Sequence, residues 1–252
     1  MFEEERRISI LNKINIDHRI TTDELAEKYS VSQSTIRRDL ASLEKSGLLK
    51  RTHGGAILAE PLSHEYDYNA KRDINRQQKF SIAKHAASLV KNGSTIALGT
   101  STLTHLMAQE LTASGLTIVT NSIDVVNVLV QRPDYNLVIL GGNYIHSART
   151  IEGMMAIDQI QQIHFDQAFL GANGIDYNFG LSTTSAIEAN SKKAFCQNSK
   201  QIFFLCDHPK FGRISSYKII DMDKASCIIT DREVDASLLA LYRKKCNITV
   251  CD

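Results

Sequence analysis

Along the first sixty residues, apolar side chains recur at helical spacing. Over residues 4–15, Ile8, Leu11 and Ile14 fall on one stripe. Residues 20–29 follow, with Leu25, Ala26 and Tyr29 on the apolar side. Thr21 or Thr22 stands where an N-cap belongs, ahead of Asp23 and Glu24; a hydroxyl there satisfies free N–H groups, and acidic residues complement the helix dipole. After a break at Ser30-Val31-Ser32, residues 33–45 set Ile36, Leu40 and Leu43 on an inner stripe, and Gly47 is placed to stop the helix. Residues 48–57 read as two short extended pieces around a tight glycine turn at Gly54-Gly55.

From Glu60 to about Lys79 the pattern decays into Pro61, scattered tyrosine and histidine, and mixed charge, which predicts a linker and the start of a connecting helix. Beyond it, helical and strand-like segments alternate. Helices are predicted at 78–91, 104–112, 123–131, 152–161 and 185–198, and strands at 94–98, 116–120, 136–140, 167–170, 201–205 and 227–230. Short, continuously apolar strands separated by helices predict an α/β unit with a mostly parallel, doubly wound sheet covered on both faces. No internal repeat or low-complexity tract interrupts the pattern. The expected division is a small helical unit at 1–58, a linker at 59–77 and an α/β unit at 78–252.

Composition changes this picture little. The 252 residues suffice for one small and one large domain, and 43% apolar residues suffice for a core. A formal net charge of +1 gives no global basicity, so any contact with nucleic acid must come from a local face. Met1 to Arg7 is charged with no apolar run after it, and no stretch approaches the roughly 20 apolar residues needed to span a bilayer. A cytoplasmic protein without a membrane partner is expected. The five cysteines, 196, 206, 227, 246 and 251, have no CxxC spacing and lie partly in apolar, strand-like settings, which points to buried, reduced thiols. The eight histidines show no metal-ligand spacing. Neither a metal nor a cofactor is expected.

Residues 25–29, 30–32 and 33–45 have the spacing of a helix-turn-helix, whose second helix enters the major groove of DNA. With Ile36, Leu40 and Leu43 turned inward, Ser32, Gln33, Ser34, Thr35, Arg37 and Arg38 remain on or near the exposed N-terminal side. Arginine can bridge guanine O6 and N7, glutamine suits adenine, and hydroxyls suit phosphates. Lys50, Arg51 and His53 beside the glycine turn would form a wing. Between residues 30 and 53, five cations face two anions, a local +3. A solvated charged face would also explain that surplus, but not the helix spacing and the wing.

In doubly wound sheets, ligands sit outside the carboxyl ends of the strands. Four loops at such ends are rich in Gly, Ser, Thr or Asn. They contain Gly99, Thr100, Ser101 and Thr102; Asn121 and Ser122; Gly141 and Gly142; and Gly171, Asn173 and Gly174. Small residues let backbone N–H groups approach a phosphate, and hydroxyls hold its oxygens. Lys210 follows another strand and is the expected charge partner for that phosphate.

These segments carry a family resemblance. Glu5-Arg6-Arg7-Ile8, Val31-Ser32-Gln33-Ser34-Thr35-Ile36-Arg37-Arg38-Asp39-Leu40 and Gly47-Leu48-Leu49-Lys50-Arg51-Thr52-His53-Gly54-Gly55-Ala56 resemble the signature of DeoR-type bacterial repressors. The Arg-Arg-Asp-Leu stretch followed by His-Gly-Gly-Ala is the specific part. The resemblance runs on through Lys79 to Ala83, Thr120-Asn121-Ser122, Gly141-Gly142 and Asp207-His208-Pro209-Lys210-Phe211-Gly212. It implies a winged helix-turn-helix followed by a sensor domain similar in fold to ribose-5-phosphate isomerases and aminosugar-phosphate deaminases. A phosphorylated sugar effector, operator DNA and a homo-oligomer, dimer or tetramer, are the partners it implies. The family often carries Asp-x-Gly-Thr-Thr at the first loop, where this chain has Gly99-Thr100-Ser101-Thr102, so an aspartate is missing and the glycine is shifted.

The competing expectation is a sugar-phosphate isomerase or deaminase. That chemistry needs a carboxylate base over a sugar carbon with a second acid or a lysine nearby. Glu152, Asp176 and Glu188 qualify by location alone, and no catalytic residue is assigned. A pure protein-interaction module would leave the arginine helix and the glycine loops unexplained.

Overall fold

In the computed structural model, the described residues are 3–17, 19–45, 49–58 and 74–252. Gly47, Leu48 and most of the expected linker lie outside them. The chain divides into two units, Met1–Arg76 and Gln77–Asp252.

In the first unit, α1 (Glu3–Asp17) precedes β1 (Arg19–Thr21), α2 (Thr22–Tyr29), α3 (Gln33–Lys45), β2 (Leu49–Thr52) and β3 (Gly55–Leu58). Thr21 is the N-cap of α2. Its hydroxyl accepts the Glu24 N–H while the Glu24 carboxylate accepts the Thr21 N–H, both at 3.2 Å, a reciprocal capping box. Ser30 closes the helix in the left-handed region at φ 53°, and its N–H bonds back to Ala26 and Glu27. The strands form an antiparallel sheet in the order β1-β3-β2. The pattern of apolar positions does not predict β1; three residues are too short a run for alternation to show. Gly55 is required where β1 meets β3, since a Cβ there would lie 2.0 Å from the Ile20 carbonyl oxygen. Ile10, Leu11, Ile14, Leu25, Ile36, Leu40 and Leu43 from the helices pack with Ile20, Leu49 and Ala56 from the strands. The side chain of Ile8, expected on the same stripe, lies outside the described part.

The second unit opens within α4 (Arg76–Ser88), at Gln77. Its main sheet is built from β4 (Thr95–Leu98), β5 (Thr117–Thr120), β6 (Asn136–Ile139), β9 (Phe165–Gly171), β12 (Ser199–Leu205), β14 (Cys227–Asp231) and β15 (Ile248–Cys251). The order is β15-β14-β12-β9-β4-β5-β6, and every pairing is parallel. The chain therefore moves outward from β4 through β5 to β6, then returns to lay β9 against β4 and builds the other half. That reversal puts a topological switch point between β4 and β9. Helices cover both faces, as the apolar strands predict. α4, α5 (Thr102–Glu110) and α6 (Ile123–Leu129) supply Ile82, Met107 and Leu129 against Ile96, Leu98 and Ile118. On the other face, α7 (Met154–Gln161), α8 (Ala186–Gln197) and α9 (Ala236–Tyr242) supply Ile160, Phe195 and Tyr242 against Ala97, Ala168 and Phe204.

Several predicted boundaries move. The helix expected from residue 152 begins at Met154. Glu152 instead ends β8 (Thr150–Glu152), which pairs with β7 (Asn143–Ile145), and Gly153 at φ 113° makes the break. The small antiparallel sheet of β10 (Gly174–Asp176), β11 (Gly180–Thr183) and β13 (Tyr217–Ile220) is also absent from the expected elements, its strands again being three or four residues long. The thiols of Cys196, Cys206, Cys246 and Cys251 are buried and that of Cys227 half-buried, all free; burial pushes Cys206 up to about 12.

Candidate functional sites: a nucleic-acid face and a buried polar cluster

On α3, residues 36, 39, 40 and 43 turn into the core, and Gln33, Ser34, Arg37 and Arg38 are exposed. Gln33 donates to Asp23 at 2.6 Å and accepts from Arg37 at 3.3 Å, so an amide and a guanidinium are held together on the outer face. Ser32 is partly committed: its hydroxyl accepts the Thr35 N–H at 3.2 Å and so caps α3. Thr35 is half-buried. Lys50, Arg51 and His53 are exposed along the β2–β3 hairpin.

Asp39 reverses the expectation that it offsets the positive face. It is 1% exposed and pairs with Arg6 at 2.6 Å and Arg7 at 3.1 Å, both from α1. The Arg-Arg-Asp run therefore splits by role. Its arginines face outward, and its aspartate fastens α3 to α1, leaving the outer face more positive than the residue count indicates.

In the second unit, parallel strands bring all the expected loops to one end of the sheet. Gly99–Ser101 follows β4 and Ala172-Asn173 follows β9, so these two flank the switch point. Close packing there explains the glycines. A Cβ on Gly99 would meet Leu170 at 2.7 Å, and one on Gly171 would meet the Ser101 Cβ at 2.7 Å. Gly174 is held against the Arg213 carbonyl, and Gly142, at φ 150°, against the Glu152 carbonyl. Gly141 and Gly142 lead into β7, and the Gly141 N–H is taken by Gln159 at 3.0 Å, so their first role is a tight connection.

Two hydroxyls expected to meet a ligand are helix caps. Ser101 accepts the Thr104 N–H at 2.9 Å, and Ser122 accepts the Val125 N–H at 3.4 Å. Polar contacts centre on Thr150 and Glu152; Thr100 donates to Thr150 at 2.6 Å and lies 3.4 Å from Asn121 Oδ1. Asn121 donates to Glu152 at 3.0 Å, Thr150 is 3.2 Å from the same oxygen, and Ser191 donates to the other. Burial pushes the Glu152 carboxyl up to about 7, against the hydrogen bonds from Ser191 and Thr150, with the charge of Glu188 adding to the rise. A second group adjoins. The Lys192 ammonium reaches the Gly171 carbonyl at 2.7 Å and Glu188 at 2.5 Å, and Thr183 bridges Glu188 and Asn173.

Sequence reasoning does not find Lys192, Ser191, Thr150 or Thr183. The signal is present for two of them: Glu188, Ser191 and Lys192 stand at i, i+3 and i+4, one face of a helix. Thr150 and Thr183 lie in the short hairpin strands and carry no such signal. Asp176 does not join the cluster; it accepts the N–H groups of Asn178 and Phe179 in the β10–β11 turn. Lys210 ends a short 3-10 turn, His208–Lys210, after β12, two strands from β4 at the same sheet end. Two strand spacings are about 10 Å. Among the described residues it forms no ion pair. His208, Asp231 and Glu233 are close enough to share a cation, but the imidazole turns a different nitrogen to each carboxylate. No described helix is long and apolar enough to cross a membrane.

A winged helix-turn-helix followed by a doubly wound α/β unit with a buried polar cluster beside its switch point defines a DNA-binding transcription regulator with a sensing unit. The DeoR-like helix-turn-helix domain matches residues 6–61, and the DeoR C-terminal sensor domain matches residues 74–232. The chain belongs to the DeoR family of transcriptional regulators. It is 34% identical over 245 residues to the HTH-type transcriptional regulator GolR of Listeria innocua, covering 97% of this chain and 95% of that protein. To the glycerol-3-phosphate regulon repressor of Escherichia coli it is 31% identical over 240 residues, 95% of each chain. Among solved structures, ribose 5-phosphate isomerase A of Methanocaldococcus jannaschii is similar over 54% of this chain and 55% of that one, with a TM-score of 0.40 and 22% identity. The family and these curated relatives regulate transcription, which sets the isomerase expectation aside.

Proposed function

We propose that the protein is a repressor of a sugar-utilisation operon, released from its operator by a phosphorylated sugar. The observation that supports this reading most is the switch point itself. The loops after β4 and β9, with Gly99, Thr100, Gly171 and Asn173, lie side by side at the sheet end where doubly wound folds take ligands. Backbone N–H groups and the start of α5 suit a phosphate, and Lys210 supplies the charge that pairs with it. Asn173, half-buried beside them, offers its amide to sugar hydroxyls. Relatives named for glycerol-3-phosphate and for a lactose phosphotransferase system support a phosphorylated effector.

On the DNA side, Arg37, Arg38, Gln33 and Ser34 read the major groove, and Lys50, Arg51 and His53 of the wing touch the backbone or minor groove. Two recognition helices on half-sites about one helical turn apart require at least a dimer. Release then means that the effector prefers an arrangement of subunits that spaces those helices badly. The decisive experiment is a mobility shift on the promoter of the chain's own operon, with and without a panel of sugar phosphates. Retention of the complex against the whole panel would refute release by a phosphosugar.

A further inference from the structure

One cluster of titratable groups has no part in the reading above. His208 opens the 3-10 turn that carries Lys210, and its ring stands between two carboxylates. Nδ1 is 3.0 Å from Asp231 Oδ1, and Nε2 is 3.6 Å from Glu233 Oε2. Asp231, buried at the end of β14, also accepts the backbone N–H groups of His208 at 2.8 Å and Glu233 at 2.9 Å. The remaining Glu233 oxygen accepts from Gln78 of α4 at 2.5 Å. One imidazole thus joins three segments distant in sequence: the Lys210 turn, the end of β14 and the first helix of the sensing unit.

A neutral imidazole has one N–H and an imidazolium has two. With a single proton, Nδ1 keeps it for Asp231, the more buried acceptor, and the Nε2 lone pair then faces the Glu233 carboxylate and repels it. Protonation of the ring decides whether Glu233 is held. We propose that His208 is a proton-operated clip: charged, it ties the Lys210 turn to β14 and holds Glu233 where Gln78 of the first turn of α4 meets it; neutral, it keeps Asp231 and frees Glu233, which loosens that first turn while the buried face of α4 stays packed. The charged groups that face the ring are Asp207 of its own loop and Asp231 and Glu233 at the end of β14, while α4 contributes the neutral amide of Gln78. Burial disfavours the charged ring, but the hydrogen bond to Asp231 and these three negative charges outweigh it and raise the pKa above 6.5. Stability from a raised histidine is complete below its unfolded value and is lost as pH rises through the folded one. The clip is therefore closed in mild acid and opens toward alkaline pH. The hydrogen-bonded arrangement also argues against a bound cation, because Asp231 already accepts three N–H groups.

The clip itself needs no ligand; its consequence for sensing rests on the effector site proposed above, with Lys210 better positioned when the clip is closed. The test uses the full chain without effector. Ring-proton NMR from pH 5 to 9 should give His208 a pKa above that of an exposed histidine, identified by its loss in His208→Gln. Hydrogen exchange corrected for intrinsic rates should show the N-terminal turns of α4 losing protection several-fold across that titration, with the rest of the helix unchanged. Glu233→Gln should lower the His208 pKa and abolish the pH dependence at α4, while the turn stays bound to Asp231. A His208 pKa at or below the exposed value, or the same pH dependence in His208→Gln, overturns the clip. So does a rise in melting temperature on adding zinc chloride that wild type shows and His208→Gln lacks, which would make the cluster a cation site. A failed sugar-phosphate screen leaves these measurements untouched, so the two readings fall separately.

Discussion

Asp39 in the DNA-binding unit and Glu152 in the sensing unit are both buried carboxylates, 1% and 2% exposed. Their partners differ in kind. Asp39 receives two guanidinium groups from another helix, Arg6 and Arg7. Glu152 receives an amide and two hydroxyls, from Asn121, Thr150 and Ser191, while the nearby Lys192 is spent on Glu188 and the Gly171 carbonyl. A buried carboxylate given full countercharge is a fixed joint, and removing either side strands a charge in a dry interior. One solvated by neutral donors sits near its titration point. The first is a rigid joint, and the second can change its charge near neutral pH.

The largest effect should come from breaking the fixed joint. Asp39→Ala strands the buried Arg6, while Arg7 keeps Glu3, and should destabilise the first unit by about 3–5 kcal/mol. Thermal melts of the full chain should show the loss there, and an unchanged melt would mean the pair is not the joint described.

The responsive carboxyl should reveal itself through pH. Its folded pKa of about 7 lies above the ordinary 4.5, so the folded state binds more protons between these values and stability falls as pH rises through them. At roughly 1.4 kcal/mol per unit, the loss by neutral pH is about 3 kcal/mol. Glu152→Gln, which cannot ionise, should flatten that slope in denaturant titrations at pH 5 and 8. An equally steep wild-type and variant slope would put the responsive group elsewhere.

Lys210→Ala sharpens the comparison from the ligand side. Removing a charge-assisted hydrogen bond to a phosphate costs about 1.5–3 kcal/mol of effector affinity. Operator binding without effector should stay unchanged, giving a repressor that no longer lets go. Calorimetry with the sugar phosphate found active in the mobility shift checks it, and normal affinity would move the phosphate away from Lys210.

Arg37→Ala and Arg38→Ala test the exposed half of the Arg-Arg-Asp run. An arginine that reads a base edge should take about 1–3 kcal/mol of discrimination with it, and one that holds a phosphate should lower the salt slope by about one. Because both side chains are exposed, the melt should not change. Unaltered binding and salt dependence in the double variant would remove α3 from the DNA interface.

The same contrast runs through what is legible in the sequence. Inward stripes on α2 and α3, and the alternation of strands with helices, can be read because burial imposes a period on the chain. Ser101 and Ser122 read as ligand hydroxyls because a hydroxyl at a helix start serves a cap and a phosphate equally well in one dimension. Asp39 counts as surface charge in the sequence because its arginines lie more than thirty residues away.

By itself, the sequence determined the two-unit division, the parallel sheet, the outward face of α3 and the glycine loops at strand ends, all set by local propensity and hydrophobic period. Only the tertiary structure decided that the loops after β4 and β9 adjoin, because strand order comes from the crossover path and not from any segment's own pattern. It also decided which charges are paired. Arg6 with Asp39, Lys192 with Glu188 near Glu152, and His208 between Asp231 and Glu233 owe their electrostatics to burial and to neighbours from other elements, and both exist only once the chain has folded.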